Sequence, residues 1–195
     1  SIIVDENKTK YKITSIGVST GGPPVLNLLL SKLPASYKMP VVIVQHIPEG
    51  FLEGMVDWLN QNSNMPVKIA ENAERLLPGN VYFCPADHHM GVTKELIVEL
   101  KKEVPHSTIR PSVSYMFHTV AKNIQNQAIG ILMTGMGRDG AEQLAIMKEK
   151  GALTIVQDES SSVVWGMPGE AFKLNAHKYI LSPENIANKL IELNK

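Results

Sequence analysis

The chain has 195 residues, 44% apolar and 19% charged, with 19 basic side chains against 19 acidic ones. That length suits one domain with a full-sized core, and balanced charge argues against general binding of nucleic acid or an anionic membrane. No apolar run reaches the roughly 18 residues of a membrane helix, and the single cysteine, Cys84, excludes an internal disulfide and a cysteine-rich zinc site.

The opening SIIVDENKTKYK has no signal-peptide apolar core. A cytoplasmic location is therefore expected, and the serine at position 1 suggests a piece of something longer. Residues 1–12 are polar and lysine-rich and are expected to be a linker or disordered segment, with one domain over 13–195. ITSIGVS (13–19) is β-rich and leads into a glycine turn, followed by a helix over 23–33 that starts on two prolines, which a first turn tolerates. PVVIVQH (40–46) reads as a continuous apolar strand and 49–62 has helical spacing. PVKIAE (66–71) and NVYFCPAD (80–87) are further strands, and 88–102 alternates around a polar turn as an antiparallel hairpin does. Ser112 is a candidate N-cap for a helix running to Ile124. AIGILMT (128–134) is a buried strand, and 137–151 is expected to be a helix ending at Gly151. LTIVQD (153–158), a short helix near 168–175, KYILS (178–182) and a helix from Pro183 complete the chain. Alternating strands and helices imply a mainly parallel sheet covered on both faces.

Ligands of open parallel sheets bind beyond the carboxyl ends of the strands. Three reactive side chains fall there: Ser19 after the first strand, His46 after the second and Asp139 in the loop after AIGILMT. A serine hydroxyl needs a base to take its proton, histidine has an unperturbed pKa of about 6.5, and an aspartate fixes the ring tautomer. GVSTGG (17–22) fits two roles, a nucleophile turn or a phosphate-holding loop. Asp158 is a second candidate acid. A Ser–acid–His order would require His177 as the base, on a segment without loop glycines. Gly21 and Gly22 are expected to leave room for substrate beside Ser19. Asp87, His88 and His89 look like a metal cluster, yet adjacent strand residues point to opposite faces, so no metal is assigned. Cys84 reads as a buried small hydrophobe, Trp165 as a packing or cleft residue, and Arg110 as a carboxylate or surface partner. A nucleotide or phosphate binder and a general small-ester esterase remain as rivals.

GVSTGGP, VQHIPEGF, CPADHHM, RPSV, MTGMGRDGA and QDESSSVVWGMP together resemble the catalytic domain of the chemotaxis receptor methylesterases, the CheB family, from about residue 13 to the C-terminus. The resemblance implies a three-layer α/β/α fold, with no cofactor. It implies hydrolysis of glutamate methyl esters on chemoreceptor cytoplasmic helices with release of methanol, together with glutamine deamidation. By motif, Ser19 becomes the nucleophile, His46 the base and Asp139 the acid, in preference to Asp158. Thr20 and the backbone amide of Met136 match positions that support the active site and the oxyanion hole. Methyl-accepting chemotaxis receptors are the implied partners, and family members usually carry an N-terminal receiver domain, so the chain is expected to be either the catalytic piece of a two-domain protein or an unregulated single-domain relative. Ser114, where relatives often have aspartate, and Gly169, where a basic residue is frequent, depart from the pattern.

Overall fold

A computed structural model describes residues 10–195; of the expected linker 1–12, residues 1–9 lie outside the described residues. Seven strands form one all-parallel sheet in the order β3-β4-β2-β1-β7-β8-β9. Their ranges are β1 Ile13–Val18, β2 Val41–Gln45, β3 Val67–Ile69, β4 Val81–Phe83, β7 Ala128–Leu132, β8 Leu153–Gln157 and β9 Tyr179–Leu181. The expected hairpin is present as β5 (His89–Val92) paired antiparallel with β6 (Val98–Lys101). Helices α1 (Gly22–Lys32), α2 (Leu52–Asn62) and α6 (Pro183–Leu193) pack on one face of the sheet. Helices α3 (Val113–Asn123), α4 (Ala141–Glu149) and α5 (Met167–Lys173) pack on the other. This is the three-layer α/β/α arrangement that the alternation of elements implies.

The central strands are apolar on both sides because both faces are covered. In β2, Val42 and Val44 enter the core under α3, while Val41 and Ile43 enter the core under α1 and α2. This two-residue alternation places Gln45, the last residue of β2, on the α1 side. Close packing is strict near the sheet centre. A Cβ on Gly17 would lie 2.2 Å from Val113 Cγ1, so α3 crosses β1 only because position 17 has no side chain.

One expected element shortens. The helix read over 137–151 begins only at Ala141. Gly137 (φ 89°) and Gly140 (φ 87°) are left-handed, so Gly137-Arg138-Asp139-Gly140 is a loop that places Asp139 ahead of the helix. A short 3-10 turn at Gln125–Gln127, unmarked in the sequence, joins α3 to β7.

Candidate active site

β1 and β2 run in register to Val18 opposite Gln45. One step further, His46 N donates to Val18 O at 3.1 Å, and Ser19 N donates to Thr134 O at 2.9 Å beyond β7. Ser19 and His46 are therefore the first residues past the paired ends of neighbouring strands. Asp139 arrives from the loop after β7, the strand on the other side of β1. The topology thus brings the three expected residues to one edge of the sheet.

Asp139 is held by a helix end as well as by histidine. Its Oδ2 accepts from His46 Nε2 at 2.8 Å and from Val113 N at 2.8 Å; its Oδ1 accepts from Ser114 N at 2.9 Å. Those two amides open α3, where orphan N–H groups and the helix dipole favour an anion. The Asp139 side chain is only 6% exposed. Burial alone would raise its pKa. The bonds from His46, from the Ser114 and Val113 amides and from the Ser114 side chain outweigh burial and hold the carboxyl below its ordinary value. Asp139 is thus an ionised acceptor at neutral pH.

With Nε2 committed to Asp139, the remaining nitrogen of His46 is Nδ1. A neutral ring that donates from Nε2 keeps its lone pair on Nδ1, so Nδ1 is the base available to a serine. Among the described residues Ser19 Oγ has no hydrogen-bond partner. Such bonds are often long in substrate-free enzymes and tighten with substrate.

Ser112 caps α3 as expected, its hydroxyl accepting from Tyr115 N at 3.1 Å. Ser114, a departure from the family pattern, ties the Asp139 loop to α3: its Oγ accepts from the buried Gly140 N at 2.7 Å. Ser114→Ala should leave that amide unpaired and lower stability by about 1–2 kcal/mol, a fall in Tm of about 2–8 °C for a domain of this size. Thermal unfolding followed by circular dichroism checks this, and an unchanged Tm would contradict it.

The loop after β7 is pinned at Gly135. Its N–H donates to Val164 O at 2.9 Å and its carbonyl accepts from Met167 N at 2.8 Å. Met136 follows, 70% exposed, and among the described residues its amide and that of Thr20 have no acceptor. Thr134 Oγ1 steadies the Ser19–Gly22 turn by donating to Thr20 O at 2.9 Å. Gly135 also lies directly under Ser19. A Cβ there would meet Met167 Sδ at 2.5 Å and Ser19 Cβ at 2.7 Å. Gly135→Ala should therefore displace Ser19 and lower kcat by about 10- to 100-fold; steady-state kinetics at unchanged kcat would exclude this contact as a constraint.

The space beside the Ser19 turn differs from expectation. Gly21 is left-handed (φ 82°), as the turn requires, but its absent Cβ would strike Val163 at 2.7 Å. That of Gly22 would strike Gln45 Oε1 at 2.0 Å. Both glycines make room for protein rather than substrate.

Other candidates resolve into structural roles. Asp158 Oδ1 accepts from Ser161 N at 3.1 Å within its own turn, and its side chain has no bond to His46. His177 stacks on Phe172 with ring centres 5.1 Å apart. Asp87 pairs with Arg110 Nε at 2.7 Å and with Lys102 at 3.1 Å, and these bonds, Lys102 first, hold its carboxyl below the ordinary range. His88 Nδ1 bonds Ala86 O at 2.9 Å, and His89 is buried edge-on to Tyr115. The three side chains of the suspected metal cluster thus go to separate partners, and no group of three potential ligands occurs among the described residues. Burial pushes the Cys84 thiol up to about 12, which keeps it un-ionised. Trp165 Nε1 donates to Gln157 O at 2.8 Å, and its ring lies 3.0 Å from where a Cβ on Gly169 would be. Gly169 thus lets the indole lie flat on α5.

A cleft of about 850 Å³ opens beside Asp139, lined by Ser112, Tyr115, His118, Arg138 and Glu142 among others, but by neither Ser19 nor His46. Ser19 is half-buried and Thr20 exposed, so Ser19 sits on an open rim.

The family model described as CheB methylesterase matches residues 14–190. The chain is 45% identical over 184 residues to the protein-glutamate methylesterase/protein-glutamine glutaminase 1 of Syntrophus aciditrophicus, covering 94% of this chain and 53% of that protein. It is 48% identical over 182 residues to the protein-glutamate methylesterase/protein-glutamine glutaminase of Nitrosospira multiformis, covering 93% of this chain and 51% of that protein. The crystal structure of the Thermotoga maritima CheB methylesterase catalytic domain superposes with a TM-score of 0.89 at 35% identity, covering 94% of this chain and 98% of that one. The chain spans about half the length of the curated relatives it matches.

Proposed function

The chain belongs to the CheB methylesterase family, and from that premise we propose that it hydrolyses glutamate methyl esters on the cytoplasmic helices of chemoreceptors, releasing methanol, and deamidates receptor glutamines by the same route. The observation that carries this reading is the 2.8 Å contact of His46 Nε2 with Asp139, made where His46 lies beside Ser19 at the sheet edge.

Ser19 Oγ attacks the γ-carbonyl of the ester while His46 Nδ1 takes its proton. Asp139 holds the Nε2 proton and stabilises the imidazolium that forms. The negative oxygen of the tetrahedral intermediate is met by the amides of Thr20 and Met136. Collapse breaks the acyl–oxygen bond, and His46 gives its proton to the departing methoxide, so methanol leaves. Water then attacks the acyl-enzyme, its proton passes to His46, and the serine hydroxyl is restored as glutamate departs. With glutamine, ammonia leaves in place of methanol.

The open rim supports a macromolecular substrate over a small ester, because remote contacts with a receptor supply binding energy that a small ester lacks. Residues 13–195 are read as the catalytic domain. Relatives are about twice as long, which supports a receiver domain N-terminal to this segment in the full-length protein. A cytoplasmic setting follows from the proposed substrate; no helix among the described residues is long and apolar enough to cross a membrane.

The test is methanol release from a purified, methylated receptor cytoplasmic fragment, with ammonia release from the glutamine form, set against turnover of p-nitrophenyl acetate. Methanol release with a higher kcat/KM on the receptor fragment is expected. Turnover of the small ester alone would overturn the receptor assignment.

A further inference from the structure

Gln45 belongs to none of the chemistry above, yet it touches both partners of the proton transfer. Its side chain is buried, at 4% exposure. Its Nε2 donates to Ser19 O at 2.9 Å and to His46 O at 3.0 Å. One neutral nitrogen thus spends both of its hydrogens bridging the carbonyls of the proposed nucleophile and base. Neither carbonyl belongs to the regular sheet ladder, which ends at Val18 and Gln45.

The other end of the amide is unusual. Gln45 Oε1 is buried without a hydrogen-bond partner among the described residues. It lies against Gly22, at the start of α1, where helix amides would ordinarily meet an acceptor. Here the Gly22 amide is committed to Ser19 O at 2.9 Å, and the next two residues, Pro23 and Pro24, have no N–H. An unpaired buried acceptor is unfavourable, so the amide contributes through its donors. Rotating it by half a turn would set Oε1 against two carbonyl oxygens, which fixes its orientation.

From this geometry we infer that Gln45 is a positioning residue: its amide clamps the Ser19 turn to the His46 turn, and Gly22 is the position that admits the clamp. The kinetic part of this inference rests on the serine-hydrolase reading above, although not on the identity of the substrate.

The experiment compares wild type with Gln45→Met, Gln45→Glu, Gly22→Ala and the Gln45→Met/Gly22→Ala double variant, on the receptor fragment and on p-nitrophenyl acetate. Gln45→Met keeps the length and removes the donors. Its kcat should fall by about 10- to 100-fold on both substrates, with KM nearly unchanged. The low-field proton NMR signal of the His46–Asp139 bond should persist, because the clamp holds the His46 carbonyl and not its ring. Gln45→Glu should lose more than Gln45→Met, since its carboxylate faces two carbonyls. Gly22→Ala keeps every donor but displaces Oε1, so it should reproduce the kcat loss, and the double variant should fall no further than Gln45→Met. Folding is checked by circular dichroism; since a Cβ at position 22 would also meet Val18 Cγ2 at 2.8 Å, Gln45→Glu carries the test should Gln45→Met fail to fold. A kcat within twofold of wild type in the folded variants, or losses that multiply in the double variant, would overturn the clamp. A wild type that turns over only the small ester overturns the receptor assignment instead and leaves the clamp comparison intact.

Discussion

Ser19→Ala is expected to lower methanol release from a methylated receptor fragment by about 10⁴-fold or more, with the fold intact. The size follows from the role proposed for the hydroxyl: without it no acyl-enzyme would form, and only binding and the proposed oxyanion amides would remain. The small structural effect follows from the surroundings. Ser19 is half-buried, its Oγ bonds nothing among the described residues, and its backbone contacts with Thr134 O and Gly22 N survive the change. Stability should shift by no more than about 0.5 kcal/mol. Methanol release measured beside thermal unfolding checks both halves. Near-full activity in the folded variant would remove Ser19 from the chemistry.

Asp139→Asn should cost about 10⁴-fold in kcat for a different reason. Both carboxylate oxygens accept hydrogen bonds, Oδ2 from His46 and Val113 and Oδ1 from Ser114. An asparagine has only one acceptor oxygen. Either its NH₂ faces His46, which favours the wrong ring tautomer, or it faces the α3 amides, donor against donor. The same change should destabilise the fold by about 1–2 kcal/mol by weakening the bonds to the Val113 and Ser114 amides.

A pH signature accompanies it. The Asp139 carboxyl lies below its ordinary value despite burial, because the bonds from His46 and the α3 amides outweigh desolvation. Its contribution to stability is therefore fully present above the unfolded-chain value of about 3.9 and is lost as pH falls through the lower folded value. Urea unfolding at descending pH should show an acid-side loss in wild type that is smaller in Asp139→Asn. Equal slopes would show that the carboxylate is not held as described.

The sheet and the three reactive side chains were legible because each follows an apolar run, and an all-parallel sheet sends every such run to the same edge. Asp139 was separable from Asp158 only by the motif around it, since both follow strands; the structure distinguishes them by the α3 amides. The loop 137–140 hides inside an apparent helix because nothing in GRDG alone shows that its two glycines are left-handed. Gly21 and Gly22 looked like space for substrate because a missing side chain does not show what fills its place. Gln45 was invisible for a related reason. It ends an apolar strand, and nothing in VVIVQH shows that its amide folds back across two loops. Ser114 was noticed as a departure, but its bond to Gly140 joins segments 26 residues apart and depends on the α3–α4 packing.

In the proposed hydrolase His46 keeps its proton on Nε2 for Asp139 and offers Nδ1 to Ser19. Nitrogen-15 NMR of the histidine-labelled protein, recorded with the His46 ring neutral, reads this directly. The structure predicts a protonated Nε2 coupled to a low-field hydrogen and an unprotonated Nδ1, with that hydrogen lost in Asp139→Asn. A ring protonated on Nδ1 instead would contradict the whole arrangement.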